Sequence, residues 1–288
     1  MEATPGIEPG CADLQSATSP LRHVASQTKR PQAERPFGAL RGDVRMLRAH
    51  SAQVARTRVL SLAESLAESM GSKVDLEAAR TAMIDSQVRP NDVTDRRLIA
   101  AMASIAREAF VPAGREALAY ADCAVETAPG RHLMAARDFA KLVHAGAVTA
   151  DDRVLDIAPG AGYSTVVLAK LAGSVVALEQ DEAAAATVRS ALVRSGGKAE
   201  VVAGPLKLGA ASRGPFSVIF VNGAVEVVPQ AWVDQLAEGG RLAVVVNEGV
   251  VRRARLYVRS GGKTAWRAPF ESAAPSLPGF EKAEVFRF

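Results

Sequence analysis

The run Val154-Leu155-Asp156-Ile157-Ala158-Pro159-Gly160-Ala161-Gly162-Tyr163-Ser164 decides the fold. A short apolar strand passes straight into a glycine-rich turn, and the turn opens a helix. Glycine there removes the Cβ that would keep a ligand away from the backbone. Any tight turn between strand and helix can use glycine, so the turn alone is a weak signal. The next apolar run, Val175-Val-Ala-Leu-Glu179, strengthens it. It ends in a carboxylate about 20 residues beyond the turn, where an acid can accept hydrogen bonds from ribose hydroxyls. A solvated strand end is the plainer reading of Glu179, and the spacing favours the ligand. Ala158, Pro159, Gly160, Gly162, Tyr163 and Ser164 are then the turn positions expected against a nucleoside, with Gln180 beside Glu179. The turn lacks the third glycine of a dinucleotide pattern, which argues against NAD. Asp156 has two open readings. It orients the loop or receives an ammonium group through water, or it caps the loop's own N–H groups.

Outward from this run, apolar stretches alternate with helical periodicity. Besides the two strands above, Ala199-Glu-Val-Val, Ser217-Val-Ile-Phe-Val and Arg241-Leu-Ala-Val-Val-Val read as strands, and their near-continuous apolarity is what burial on both faces demands. Helices are expected over 163–172, 181–195 and 229–236. The βαβ series implies a Rossmann-like, doubly wound, mostly parallel α/β sheet. Alternation near 255–258, 264–266 and 284–288 suggests antiparallel strands completing it. Upstream, Leu76, Ala79 and Met83, then Leu98, Ile99, Met102 and Ile105, predict two helices separated by Arg89-Pro90-Asn91, the second capped by Thr94 or Asp95 and ended by Val111-Pro112. Phe139, Leu142 and Val143 mark a third, closing near Gly146.

The domain expected from these patterns spans 70–288, with a helical N-terminal part over 70–147 and a Rossmann-like core over 148–288. Residues 1–69 read as a disordered extension or as a start placed too far upstream, with Met70 the alternative start. The first 44 residues are rich in Pro, Gly, Ser, Ala and Gln without apolar periodicity. Residues 45–69 read as an incidental Arg- and Ala-rich helix.

Composition narrows the function. Thirty-five Lys and Arg are scattered among 31 acids, leaving a net charge of +4, with no basic stripe interleaved with aromatics. No nucleic-acid partner is expected. Cys11 and Cys123 are the two cysteines and show no ligand spacing, so neither a disulfide framework nor a metal site is expected. No apolar run reaches the roughly 20 residues that span a bilayer, so no membrane partner is expected either. A cytoplasmic monomer is the expectation.

Several stretches together carry a family resemblance. They are Met83-Ile-Asp-Ser-Gln-Val-Arg-Pro-Asn-Asp-Val-Thr-Asp95, Arg107-Glu-Ala-Phe-Val-Pro112, Ala119-Tyr-Ala-Asp122, the loop after Val154, Ser217-Val-Ile-Phe-Val-Asn222 and Leu236-Ala-Glu-Gly-Gly-Arg-Leu242. From about residue 83 to 288 the chain resembles the protein-L-isoaspartate O-methyltransferases. The first two stretches are fairly specific to that family; the others are shared by many class I methyltransferases. The resemblance implies S-adenosyl-L-methionine as cofactor, isoaspartyl-containing proteins or peptides as substrate, and methyl transfer to the isoaspartyl carboxylate in protein repair.

Two departures qualify what it implies. Family members usually follow Ala-Tyr-x-Asp with Gly-Gln-Thr-Ile-Ser-Gln-Pro, where hydroxyls contact the substrate. Here the matching residues are Gly130-Arg131-His132-Leu133-Met134-Ala135-Ala136. Both hydroxyls are absent, and Arg131 and His132 are candidates for an acceptor carboxylate or ordinary surface residues. The family's Gly-Asp-Gly near the adenine reads Gly204-Pro205-Leu206. Pro205 and Leu206 hold the ring by apolar contact or pack the turn. Asn222 stands where class I methyltransferases face the reacting methyl group, or it forms a turn with Gly223. The alternative to an active enzyme is a cofactor-binding homologue with a changed substrate or no catalytic activity.

Overall fold

A computed structural model of the chain describes residues 75–282. The expectations for 1–69 and for a strand over 284–288 lie outside them.

Two short helices, α1 (Leu76–Met83) and α2 (Arg96–Ala103), lead in. Each begins at an aspartate whose carboxylate accepts from the first free N–H groups: Asp75 from Glu77 and Ala78, Asp95 from Arg97 and Leu98. Asp95, not Thr94, is therefore the cap of α2. That helix also stops earlier than the Val111-Pro112 signal suggested: it ends at Ala103, and a separate 3-10 turn, Arg107–Phe110, runs up to Val111. Next come β1 (Val125–Ala128) and β2 (Arg131–Leu133), an antiparallel hairpin within the part expected to be helical. Helix α3 (Ala136–Gly146) follows.

The core then alternates β3 (Arg153–Ile157), α4 (Tyr163–Leu171), β4 (Ser174–Glu179), α5 (Glu182–Ser195) and β5 (Glu200–Ala203). After two 3-10 turns come β6 (Phe216–Val225), α6 (Gln230–Asp234), β7 (Leu236–Asn247), β8 (Arg252–Ser260) and β9 (Lys263–Glu271). The helix expected over 229–236 is shorter because the chain turns into the sheet at its end. Phe216 N–H donates to Gln235 O at 2.9 Å, and Leu236 pairs with Phe216.

One seven-stranded sheet has the order β5-β4-β3-β6-β7-β8-β9. The pairs from β5 to β7 are parallel, and β8 and β9 are antiparallel. Each inner strand is buried on both sides. Val154 packs with α1 to α5 on one face, while its neighbour Leu155 packs with α6 on the other. This two-sided burial is why the strands read as continuous apolar runs. From β3 the chain winds outward to β5, then returns to β6 on the other side of β3. The strand order therefore reverses between β3 and β6, and the carboxyl ends of such a pair are where open α/β sheets form a ligand crevice.

The glycine turn fits the fold closely at Gly162, which takes φ +90°, and a Cβ placed there would lie 3.0 Å from the Ala191 Cβ on α5. Gly162→Ala is expected to cost at least about 2 kcal/mol, from left-handed strain plus overpacking. Gly196→Ala, at φ +65° with open space around it, should cost only about 1 kcal/mol. Urea denaturation of both variants checks the difference; equal losses would contradict the close helix packing.

Candidate functional site

At the end of β3 the Asp156 carboxylate is wholly buried. Its Oδ2 accepts from Ser164 Oγ at 2.8 Å and Thr165 Oγ1 at 2.6 Å, both in the first turn of α4. Its Oδ1 accepts from Asn222 Nδ2 at 2.6 Å. Asn222 also donates to Ile157 O at 3.0 Å, so one amide bridges β6 to β3 across the crevice. Asp156 thus faces inward and fastens the turn, the helix and the switch point together. Burial pushes its carboxyl up to about 7, against the opposing effect of the Thr165, Ser164 and Asn222 hydrogen bonds; the nearby Glu179 charge adds to the rise.

The glycine turn sits above this carboxylate. Ala158 N–H donates to Leu178 O at 2.9 Å, tying the turn to β4, and Ala158 takes the left-handed φ of +58° that a non-glycine residue adopts at some cost. Pro159 is buried. Gly160 N–H donates to Glu179 Oε1 at 2.7 Å. Glu179 lies at the end of β4, wholly buried, and its Oε2 accepts from Gln180 N–H at 3.1 Å. The structure therefore joins the turn and the acid directly. Helix α4 begins with no side-chain cap at Gly162, and a helix start of this kind leaves N–H donors for a ligand.

The hairpin approaches from above. Arg131 on β2 reaches Glu179 Oε2 and Gln180 Oε1, each at 3.4 Å, and Thr127 Oγ1 on β1 donates to Arg131 O at 3.3 Å. His132, next along β2, pairs with Glu126 in the ladder and is half-buried. Met134, Ala135 and Ala136, at the positions of the family's serine, glutamine and proline, are buried and bring no hydroxyl. The segment after β9 crosses the same edge. Ala224 N–H donates to Pro275 O and Leu277 N–H to Ala224 O, both at 2.7 Å, and Pro278 packs against Gly130 of the hairpin.

Not every expected residue turns a side chain to the cleft. Tyr163 is 1% exposed, its ring edge-on to Phe110 and Phe139 with centroids at 5.3 Å. Only its backbone remains for a ligand. Leu206 packs into the core beneath Trp232, whose indole N–H donates to Leu206 O at 2.8 Å, while Pro205 is exposed. Two contributors escaped the sequence reading. Thr165 shares Asp156 with Ser164, a role that the adjacent hydroxyls at the helix start could have suggested. Arg107, 1% exposed, donates from Nε to Ala119 O at 2.7 Å and from Nη2 to Met134 O. Its guanidinium lies 4.7 Å from the centre of the Tyr163 ring. It therefore links the segment at Met134 to the helix that the glycine turn begins.

Comparison with known proteins places this geometry. The family model for protein-L-isoaspartate(D-aspartate) O-methyltransferase matches residues 78–271. The chain is 35% identical over 170 residues to a protein-L-isoaspartate O-methyltransferase of Methylorubrum populi, covering 59% of this chain and 80% of that one. It is 34% identical over 185 residues to the Koribacter versatilis protein of the same name, covering 64% and 83%. Among solved structures, it is similar to a Plasmodium falciparum protein-L-isoaspartate O-methyltransferase in complex with S-adenosyl-L-homocysteine. The TM-score is 0.60 at 18% identity, over 69% of this chain and 97% of that one, which is a likeness of fold.

The buried carboxyl makes a pH prediction. The Asp156 pKa in the folded chain, about 7, lies above the unfolded value of about 3.9, so the folded state holds the extra proton between those limits. Its contribution to stability is fully present below about pH 4 and falls as pH rises toward 7, by up to about 1.4 kcal/mol per pH unit. The stability of the wild type relative to Asp156→Asn should therefore decline from pH 4 to 7 and level off above. Chemical denaturation across that range checks this; a pH-independent difference would show that Asp156 ionises normally.

Proposed function

The chain belongs to the protein-L-isoaspartate(D-aspartate) O-methyltransferase family, and from that membership we propose that it methylates the free carboxylate of isoaspartyl residues in damaged proteins. The observation that carries the reading is the direct bond between Gly160 of the glycine turn and Glu179 at the end of β4. This pair sets a carboxylate where a nucleoside diol could meet it, beside a turn that lacks the third glycine of a dinucleotide pattern. Their chemistry fits S-adenosyl-L-methionine, which when bound supplies an electrophilic methyl on a sulfonium leaving group. Gly160, Gly162 and Glu179, with Ala158, Pro159, Gln180, Pro205 and the backbone of Tyr163, are the contacts we assign to it.

Little acid–base machinery is required of the protein. An acceptor carboxylate is already ionised near neutral pH, so it could take the methyl group with no general base from the protein. The rate then comes from alignment of the two partners. The Asp156 and Asn222 hydrogen bonds serve that end by fixing the floor of the crevice. The reading requires no metal, and among the described residues no cluster of His, Cys, Asp or Glu is arranged to hold one. No described helix is long and apolar enough to cross a membrane. We assign the protein to the cytoplasm as a monomer acting on isoaspartyl proteins, without nucleic-acid or membrane partners.

A second reading rests on one specific observation. The buried Met134, Ala135 and Ala136 replace the hydroxyl-bearing loop, which favours a homologue that binds the cofactor but has changed its acceptor or lost transfer. Labelled methyl transfer from S-adenosyl-L-methionine to an isoaspartyl peptide and its aspartyl control separates the two. Base-labile label on the isoaspartyl peptide alone is the expected result. No label on either peptide, despite thermal stabilisation by S-adenosyl-L-homocysteine, would favour the second reading.

A further inference from the structure

The acceptor side of the cleft has lost the hydroxyls that the resemblance led us to expect, yet a cation stands over it. Arg131 leans from β2 across the glycine turn, its Cβ 3.5 Å from where a Cβ of Gly160 would be. Its side chain is only 12% exposed, and its Nε is buried without a partner. The Nη2 group is shared at 3.4 Å between Glu179 Oε2 and Gln180 Oε1, the loose end of the hydrogen-bond range.

Counting acceptor capacity shows that this contact conflicts with a bound nucleoside. An ionised carboxylate offers about four lone-pair sites. Glu179 already takes Gly160 N–H, Gln180 N–H and Arg131 Nη2. A ribose diol brings two more donors, one too many. The two backbone N–H groups are fixed by the turn and by the end of β4. Arg131 is the donor able to leave, because it is a long side chain held at 3.4 Å. Its backbone stays in the hairpin ladder opposite Ala128, so the released guanidinium remains at the mouth of the cleft.

There it meets the chemistry that its neighbours lack. Met134, Ala135 and Ala136 provide no side-chain donor, whereas a planar guanidinium suits bidentate pairing with a carboxylate. We propose that Arg131 is the acceptor-binding residue of this chain: it is held on Glu179 until the nucleoside takes that carboxylate, and it then pairs with the carboxylate of the acceptor. This rests on the function proposed above. It also couples the two binding events, since the ligand that occupies Glu179 frees the group the second ligand needs.

Two calorimetric titrations of the full chain test it without relying on turnover. S-adenosyl-L-homocysteine should bind Arg131→Ala about threefold more tightly than wild type, because the variant has no guanidinium to displace from Glu179. An isoaspartyl peptide titrated into protein saturated with S-adenosyl-L-homocysteine should bind Arg131→Ala at least about tenfold more weakly, with Arg131→Lys recovering part of the loss. Weaker binding of S-adenosyl-L-homocysteine by Arg131→Ala would place the guanidinium on the cofactor and overturn the proposal. Equal peptide binding by wild type and Arg131→Ala would overturn it as well. If both titrations come out as expected and yet no methyl is transferred, the proposed activity fails while the role of Arg131 stands.

Discussion

The Asp156 carboxylate holds together parts of the chain that would otherwise meet only through packing. It takes donors from Ser164 and Thr165 on α4 and from Asn222 on β6, while its own backbone belongs to β3. A buried carboxyl group with three short hydrogen bonds is costly to disturb, because each partner left behind would be buried and unpaired. It fixes the angle at which the glycine turn leaves β3, and that angle brings Gly160 N–H onto Glu179. Everything the crevice does depends on this geometry.

The two sides of the crevice differ in kind. The side we assign to the nucleoside is built from backbone and two buried acids, Asp156 and Glu179, which hydrogen bonds tie to the turn and helix. The side we assign to the acceptor is built from a short hairpin and the segment after β9, joined where Pro278 meets Gly130. Arg107 ties this side to the first turn of α4, holding Met134 O while its guanidinium lies against Tyr163. Burial lowers the guanidinium's pKa, opposed by its contacts with Tyr163. A change at Met134 is therefore confined to the second side, whereas a change at Arg131 reaches both, because its guanidinium also contacts Glu179.

Much of the fold was legible in the sequence because the inner strands are buried on both faces. Val154 and Leu155 serve different cores, so neither position tolerates a polar residue and the run declares itself. The spacing from the glycine turn to Glu179 was legible for a related reason: strand, turn, helix and strand have nearly fixed lengths, so an acid at that distance lands beside the turn. The hairpin was not legible. Its strands are four and three residues long with irregular burial, too short for alternation to register. The direction of Tyr163 was hidden because α4 is buried almost all round, leaving no apolar face to mark which side meets the core. The inward role of Asp156 was one of the open readings, and only the positions of Ser164, Thr165 and Asn222 in space select it.

The account turns on Glu179 as the group that receives the nucleoside. Isothermal titration of S-adenosyl-L-homocysteine into the wild type and Glu179→Gln tests this most directly, because glutamine keeps an acceptor for Gly160 N–H but removes the charge. Loss of charge-assisted hydrogen bonds worth about 1.5–3 kcal/mol predicts binding weaker by roughly 10-fold to 100-fold. An affinity within about twofold of the wild type would contradict the account and place the nucleoside elsewhere.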